Sequence, residues 1–203
     1  MTRTPLLWPS TRTPTAETEE VKSLYAQLTG VEHSVAAWEA ALALYKLSLD
    51  QPAEVSRDIA GRWRWIACNE CILEPYHLRS RMEKIQSVQL RKCPSLIPWI
   101  DVASLRSARK KLDEYFPDIE ALRHATAHRG ENEVNHEQHA PEGHRFALTG
   151  FREPHRYSTP YQGRMRTLDI TAASLDQITE VVNSYLAAFE RATMQLEAEG
   201  HLE

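Results

Sequence analysis

From about residue 15 onward, apolar and polar positions alternate mostly at the spacing of helices. Val21, Leu24, Tyr25 and Leu28 recur every three or four residues, which places them on one face of a helix. That helix is predicted to begin near Thr15, where Glu17, Glu19 and Glu20 suit the positive end of the helix dipole. Gly30 is its predicted stop. Residues 32–49 read as a second helix, apolar on more than one side and therefore central. After Pro52 a third helical pattern covers about 54–88, with Ile59, Trp63, Ile66, Leu73 and Met82 at roughly helical spacing. Pro75 falls inside that pattern and predicts a kink or a break. Trp63 and Trp65 lie two apart and so point to opposite sides. Trp38, Tyr45 and Trp63 are the expected core aromatics.

The second half is more varied. "CPSLIPW" (93–99) reads as a loop between two prolines. A helix over about 101–115 follows, and Pro117 suits the first turn of another, ending near Gly130. "HRFALTG" and "RMRTLDIT" are short and partly alternating, hence strands of a hairpin, with "FREPHRYSTPYQG" (151–163) as the loop between them. Ser174 and Gln177 form a capping box that opens a helix running to about 198. Pro5, Pro9 and Pro14 rule out a continuous helix at the start. The expectation is an all-α, up-and-down bundle of five to six helices with one small β-hairpin before the last helix. It forms a single domain over 15–203, with the hairpin insert at about 144–171 and a flexible arm over 1–14.

Composition narrows the class. The 203 residues are 42% hydrophobic and 26% charged, with a formal net charge of -4. Such a balance gives no global attraction to nucleic acid or acidic membranes, so any polyanion site must be a local patch. Cys68, Cys71 and Cys93 are too few for a disulfide framework. Cys68 and Cys71 lie three apart without a second pair to complete a zinc site and are expected as buried core thiols. The most apolar run, "SVAAWEAALALYKLSL", is interrupted by Glu39 and Lys46 and is too short to span a bilayer. The first residues lack the apolar core of a secretory leader. A cytoplasmic location and no membrane partner are the expectations.

Candidate chemistry concentrates in "ALRHATAHRGENE" (121–133). Ile119, Leu122 and Thr126 share the face of that helix expected in the core. Arg123, His124, Ala127 and His128 form an adjoining strip. Arginine offers forked donors that match phosphate oxygens, and histidine exchanges protons near neutral pH. Together they suffice for RNA cleavage in which the 2′-hydroxyl is the nucleophile and arginine stabilises the charged transition state.

Arg123, polar His124, then Ala125, Thr126, Ala127 and His128 match an Arg-x4-His pattern. On a late helix of a helical chain, this resembles the HEPN (higher eukaryotes and prokaryotes nucleotide-binding) domain family. His124 stands where asparagine is often found. The resemblance implies a metal-independent endoribonuclease with Arg123, His124 and His128 as catalytic residues and no cofactor. It also implies a homodimer that pairs two motifs, in a toxin–antitoxin or antiviral defence setting, with an antitoxin or regulatory protein as a further partner. Because Arg123 and His128 are turned about 140° apart on the helix, one copy makes a sparse site. A two-fold axis near Ala121 and Ala125 is therefore expected.

A second candidate region is the predicted connector. Arg152, Arg156, Tyr157, Tyr161, Arg164 and Arg166 lie there with His155 and only Glu153 in opposition. Basic residues interleaved with aromatics suit an RNA backbone and its bases. Glu131 could hold one imidazole. Two alternatives stand beside the ribonuclease reading. One is a non-catalytic helical module that binds a nucleotide, RNA or a protein. The other is a histidine-rich metal-binding protein, since His124 and His128 are four apart and His136 and His139 follow; no metal site is expected.

Overall fold

The computed structural model describes residues 17–50, 54–128, 136–142 and 149–198. It is mostly helical, with one small antiparallel sheet. The helices are α1 (Thr18–Asp50), α2 (Arg57–Lys84), α3 (Val102–Tyr115), α4 (Ile119–Ala127), the short α5 (His136–His139), α6 (Ala172–Ala187) and α7 (Glu190–Ala198). A π-helical turn (Ile85–Gln89) and a last turn (Leu90–Lys92) extend α2, and a 3-10 turn covers Ile97–Trp99. The strands β1 (Gly150–Glu153), β2 (Arg156–Tyr161) and β3 (Arg164–Asp169) lie in that order. No helix among the described residues is long and apolar enough to cross a membrane. The predicted arm over 1–14, Gly130 and Glu131 lie outside the described residues.

The chain divides into two compact units. The first comprises 1–36, 77–114 and 177–203. Its core includes Leu24, Leu28, Leu78, Met82, Leu105, Tyr185 and Phe189. Here α1 does not stop at Gly30 but runs straight through it. One glycine inside a helix costs only about 1 kcal/mol relative to alanine, too little to end 33 residues of packed helix. The missing side chain has a use: a Cβ at Gly30 would lie 3.2 Å from Arg81 Nε. Arg81 Nη1 donates to Gly30 O and to Ser34 Oγ, each at 3.0 Å. The predicted last helix is interrupted at 188–189, where the Ala188 carbonyl accepts the Asp101 amide at 3.0 Å.

The second unit comprises 37–76 and 115–176. Trp38 packs on Phe116, Tyr45 on Phe151 and His155, and Trp65 on Phe151 and Tyr157. Tyr45 donates to the Pro154 carbonyl at 2.7 Å, and burial pushes its phenol up to about 12. The predicted loop over 151–163 is largely strand, because it supplies β1 and β2. The hairpin turn is shorter than expected: only Gln162 and Gly163, both at positive φ (50° and 74°), join β2 to β3. Such a two-residue turn matches the twist of the flanking strands. The helix cap also shifts. Thr171 Oγ1 accepts the Ser174 amide at 3.2 Å, so α6 opens three residues before the expected capping box.

The helix α2 corrects two further expectations. It passes through Pro75 without a break, and its irregular turn comes ten residues later, at Ile85–Gln89. Buried residues on either side, Cys71, Ile72, Leu78 and Met82, hold the helix against the loss of one backbone hydrogen bond. The buried edge carries small residues, Ala60, Ala67, Cys68 and Cys71, which permit close helix approach. The bulkier row of Ile59, Trp63 and Ile66 is left outside or half-buried, so Trp63 is not a core residue.

The three thiols are free and fully buried. Burial raises Cys71 to about 12, Cys93 to about 11, and Cys68 higher still. A thiol-reactive disulfide reagent is therefore expected to label none of them in the native protein at neutral pH and all three in denaturant. One rapidly labelled native thiol would contradict this packing.

Candidate functional site

The site begins with how α4 is held. Ile119, Leu122 and Ala125 are its buried residues, and the helix packs on β2 and β3. Asp118, at its N-cap position, makes no side-chain cap to its own helix. Instead, Oδ1 accepts from Arg166 Nη1 at 2.9 Å and Oδ2 from the Thr167 amide at 3.3 Å. Both partners of that ion pair are roughly four-fifths buried, with 22% and 23% of their side chains exposed. One carboxylate therefore ties the start of α4 to β3 at two points.

Beyond this anchor the helix presents its strip. Arg123 is half-buried, with its guanidinium 5.1 Å from the centroid of the Tyr76 ring on α2, a cation–π contact. Its Nη1 lies 3.4 Å from His124 Nδ1. Arginine only donates, so His124 accepts there, and the proton of its neutral form sits on Nε2. His128 caps the C-terminus of α4, its amide bonded to the His124 carbonyl, and is exposed.

Four rings line up beside that arginine. His128 and His124 are near-parallel at 6.4 Å between centroids, and His124 and Tyr161 lie at 6.4 Å with planes 8° apart. His139 also stacks on Tyr161, at 5.4 Å and 7°. The Gln162 amide donates to His139 Nδ1 at 3.3 Å, which fixes α5 against the hairpin turn. His124, Tyr161 and His139 are half-buried, leaving part of each ring open to solvent. The row can accept a flat aromatic partner by stacking.

The predicted basic patch is rearranged by charges it did not include. Arg156 is gripped by Asp169, with Nε to Oδ1 at 2.7 Å and Nη2 to Oδ2 at 3.1 Å, and also meets Glu153 at 3.5 Å. The hydrogen bonds that it donates to Asp169, and the charges of Asp169 and Glu153, raise the pKa of its guanidinium further. Arg166 belongs to Asp118. Tyr157 is 2% exposed, sits against Trp65 and Phe151, and offers no open face for a base. Arg152 is the extra residue of a bulge between Phe151 and Glu153. Arg164 is exposed and pairs in register with Tyr161. Of the predicted RNA-binding residues, Tyr161 and Arg164 thus stand together at the hairpin end near the Arg123 strip.

Two positions on α4 differ from expectation. Ala125 is 4% exposed and Thr126 is half-buried, so the core face is turned from the one predicted. An axis of symmetry against Ala125 does not fit this face, and Ala125→Trp would overpack a core. Tyr76, Asp118 and the ordered role of His139 were missed from the sequence. Tyr76 and Asp118 carry no local signal of their partners, and His139 sat in a stretch that read as irregular. Among the described residues, no three His, Cys, Asp or Glu side chains group as a metal site. No family model, curated protein or solved structure matches the chain.

Removing the Asp118 carboxylate strands a partly buried guanidinium and frees the start of α4. Asp118→Ala is expected to lower stability by about 2 kcal/mol, read by chemical denaturation. An unchanged midpoint would show that the anchor contributes nothing.

Proposed function

We propose that the chain binds RNA at the C-terminal end of α4 and cleaves it as HEPN-type ribonucleases do, without a metal. The observation that carries this reading is the juxtaposition of Arg123, seated on Tyr76, with the row His128, His124, Tyr161 and His139. A fixed cation beside stacked rings is the combination that receives a phosphate and its adjoining base. Arg164 at the hairpin end adds a second cation for the backbone.

In this reading the substrate supplies its own nucleophile. Neutral His128 takes the proton from a 2′-hydroxyl as that oxygen bonds to phosphorus. The bond to the 5′ oxygen breaks, and the departing oxygen takes a proton from water. A 2′,3′-cyclic phosphate and a 5′-hydroxyl remain, and the hydroxide left by that water takes the proton from His128, which restores the neutral imidazole and balances atoms and charge. Arg123 stabilises the negative charge that builds on the phosphoryl oxygens. His124 accepts from Arg123 and lines up with the ring of His128, so its role is positioning. The exposure of His128 suits a group that must meet substrate. A homodimer, a defence setting and a regulatory partner belong to the same family reading.

The test is cleavage of a labelled RNA pool in EDTA, with the ends of the products identified. Cleavage leaving cyclic phosphate ends is expected, with Arg123→Ala and His128→Ala each lowering the rate at least about 100-fold. Activity that EDTA abolishes would contradict the metal-free mechanism. RNA binding that depends on Arg123, Tyr161 and Arg164 without any cleavage would favour a non-catalytic binding module. For affinity, Arg164→Glu is expected to weaken RNA binding and flatten its salt dependence. A charge change at Arg156 would instead break an ion pair within the sheet.

A further inference from the structure

The tip of the hairpin breaks a local rule. Gln162 and Gly163 make the whole turn, with φ of 50° and 74°, and turns of this hand favour Asn, Asp or Gly at the first position. Glycine escapes the crowding at positive φ, and the short side chains of Asn and Asp bond to the nearby backbone. Glutamine has neither advantage. Its backbone amide donates to His139 Nδ1 at 3.3 Å, but any residue except proline supplies that donor. The side chain is exposed and makes no hydrogen bond among the described residues. The carboxamide of Gln162 therefore does nothing for the turn that strains to hold it.

What lies beside that carboxamide suits a nucleotide. Tyr161 precedes it, half-buried, and exposed Arg164 pairs in register with Tyr161. The rings of Tyr161 and His124 are 8° from parallel, with centroids 6.4 Å apart. Rings in face-to-face contact lie about 3.5–4 Å apart. Neither ring therefore covers the other, and a base can stack there. Residues 161–164 thus set out a ring face for a base, an amide for its edge and a guanidinium for the phosphate.

We propose that the base stacked on Tyr161 is an unpaired adenine and that Gln162 reads its edge. This assignment deepens the RNA reading and rests on it. A carboxamide carries an acceptor, Oε1, beside a donor, Nε2. Adenine answers both at once, because its N6 amino group donates to Oε1 while N7 accepts from Nε2. On its other edge, N1 beside N6 offers the same pair. The N7 edge of guanine offers two acceptors and leaves Oε1 unanswered. Cytosine and uracil offer such a pair on one edge only, with a smaller ring to stack. The adenine must be unpaired, because in an RNA helix its neighbours cover its faces and the deep major groove shuts out side chains.

The test is fluorescence anisotropy of the whole chain with labelled oligouridylates that carry one central adenine, guanine or cytosine, or none. The central adenine is expected to tighten binding about tenfold over the other three. Gln162→Gly removes the carboxamide, suits the positive φ and keeps the backbone amide that meets His139, so the turn holds. That variant should bring the four affinities together. Pairing the adenine with a complementary strand should also abolish its advantage. Equal binding of all four by the unaltered protein would overturn the adenine assignment and leave the RNA reading standing. A preference that persists in Gln162→Gly, or in the duplex, would overturn the role of Gln162 as reader of an unpaired base. Failure to bind any of the four would sink the assignment and the RNA reading together.

Discussion

Everything at the candidate site depends on one carboxylate. Asp118 stands where an N-cap would serve its own helix, yet both of its oxygens reach β3. The helix it opens has nine residues, short enough to be marginal alone. Its position is set by burial of Ile119, Leu122 and Ala125 and by this two-point tie. Once the start of α4 is fixed on the sheet, its far end is fixed as well. Arg123 then meets Tyr76, and His124 comes level with Tyr161 at the tip of the hairpin.

The same ion pair explains why the basic patch is smaller than the local sequence implies. Between Arg152 and Arg166 the sequence holds one acid, Glu153. Folding brings Asp169 across the ladder to Arg156, and brings Asp118 from another element to Arg166. Two of the arginines are thereby spent on architecture. What remains for a ligand lies at the hairpin end, where Arg164 and Tyr161 pair in register. The tight turn of Gln162 and Gly163 sets that end, and the Gln162 amide in turn holds His139. Structural and binding roles are thus divided along one hairpin.

Much of the helical framework was legible because it is written locally. The spacing of Val21, Leu24 and Leu28 is a helix signal, and all three are buried. Trp38 and Tyr45 are core, as their helix predicts. Less legible were features that depend on competition. Gly30 reads as a stop, but the adjoining helical segments outweigh the cost of one glycine, and Arg81 uses the space. On α2, two faces are apolar, and spacing alone could not say that the small-residue face would win the core. The loop over 151–163 reads as irregular because Pro154, Pro160 and Gly163 interrupt it, while its strands are stabilised by partners elsewhere. Arg123, His124 and His128 were visible as a strip, but Tyr76, 47 positions away from Arg123, could be found only through the fold.

The central claim is that RNA lies against the end of α4 and the tip of the hairpin. Photocrosslinking of a thiouridine-labelled RNA, followed by mass spectrometric mapping of the attached peptides, tests it most directly. The account predicts attachment to the peptides that hold Tyr161, His124 or His139, reduced when Arg123 or Arg164 is replaced. Attachment confined to other surfaces, or none under conditions where RNA binds, would contradict it.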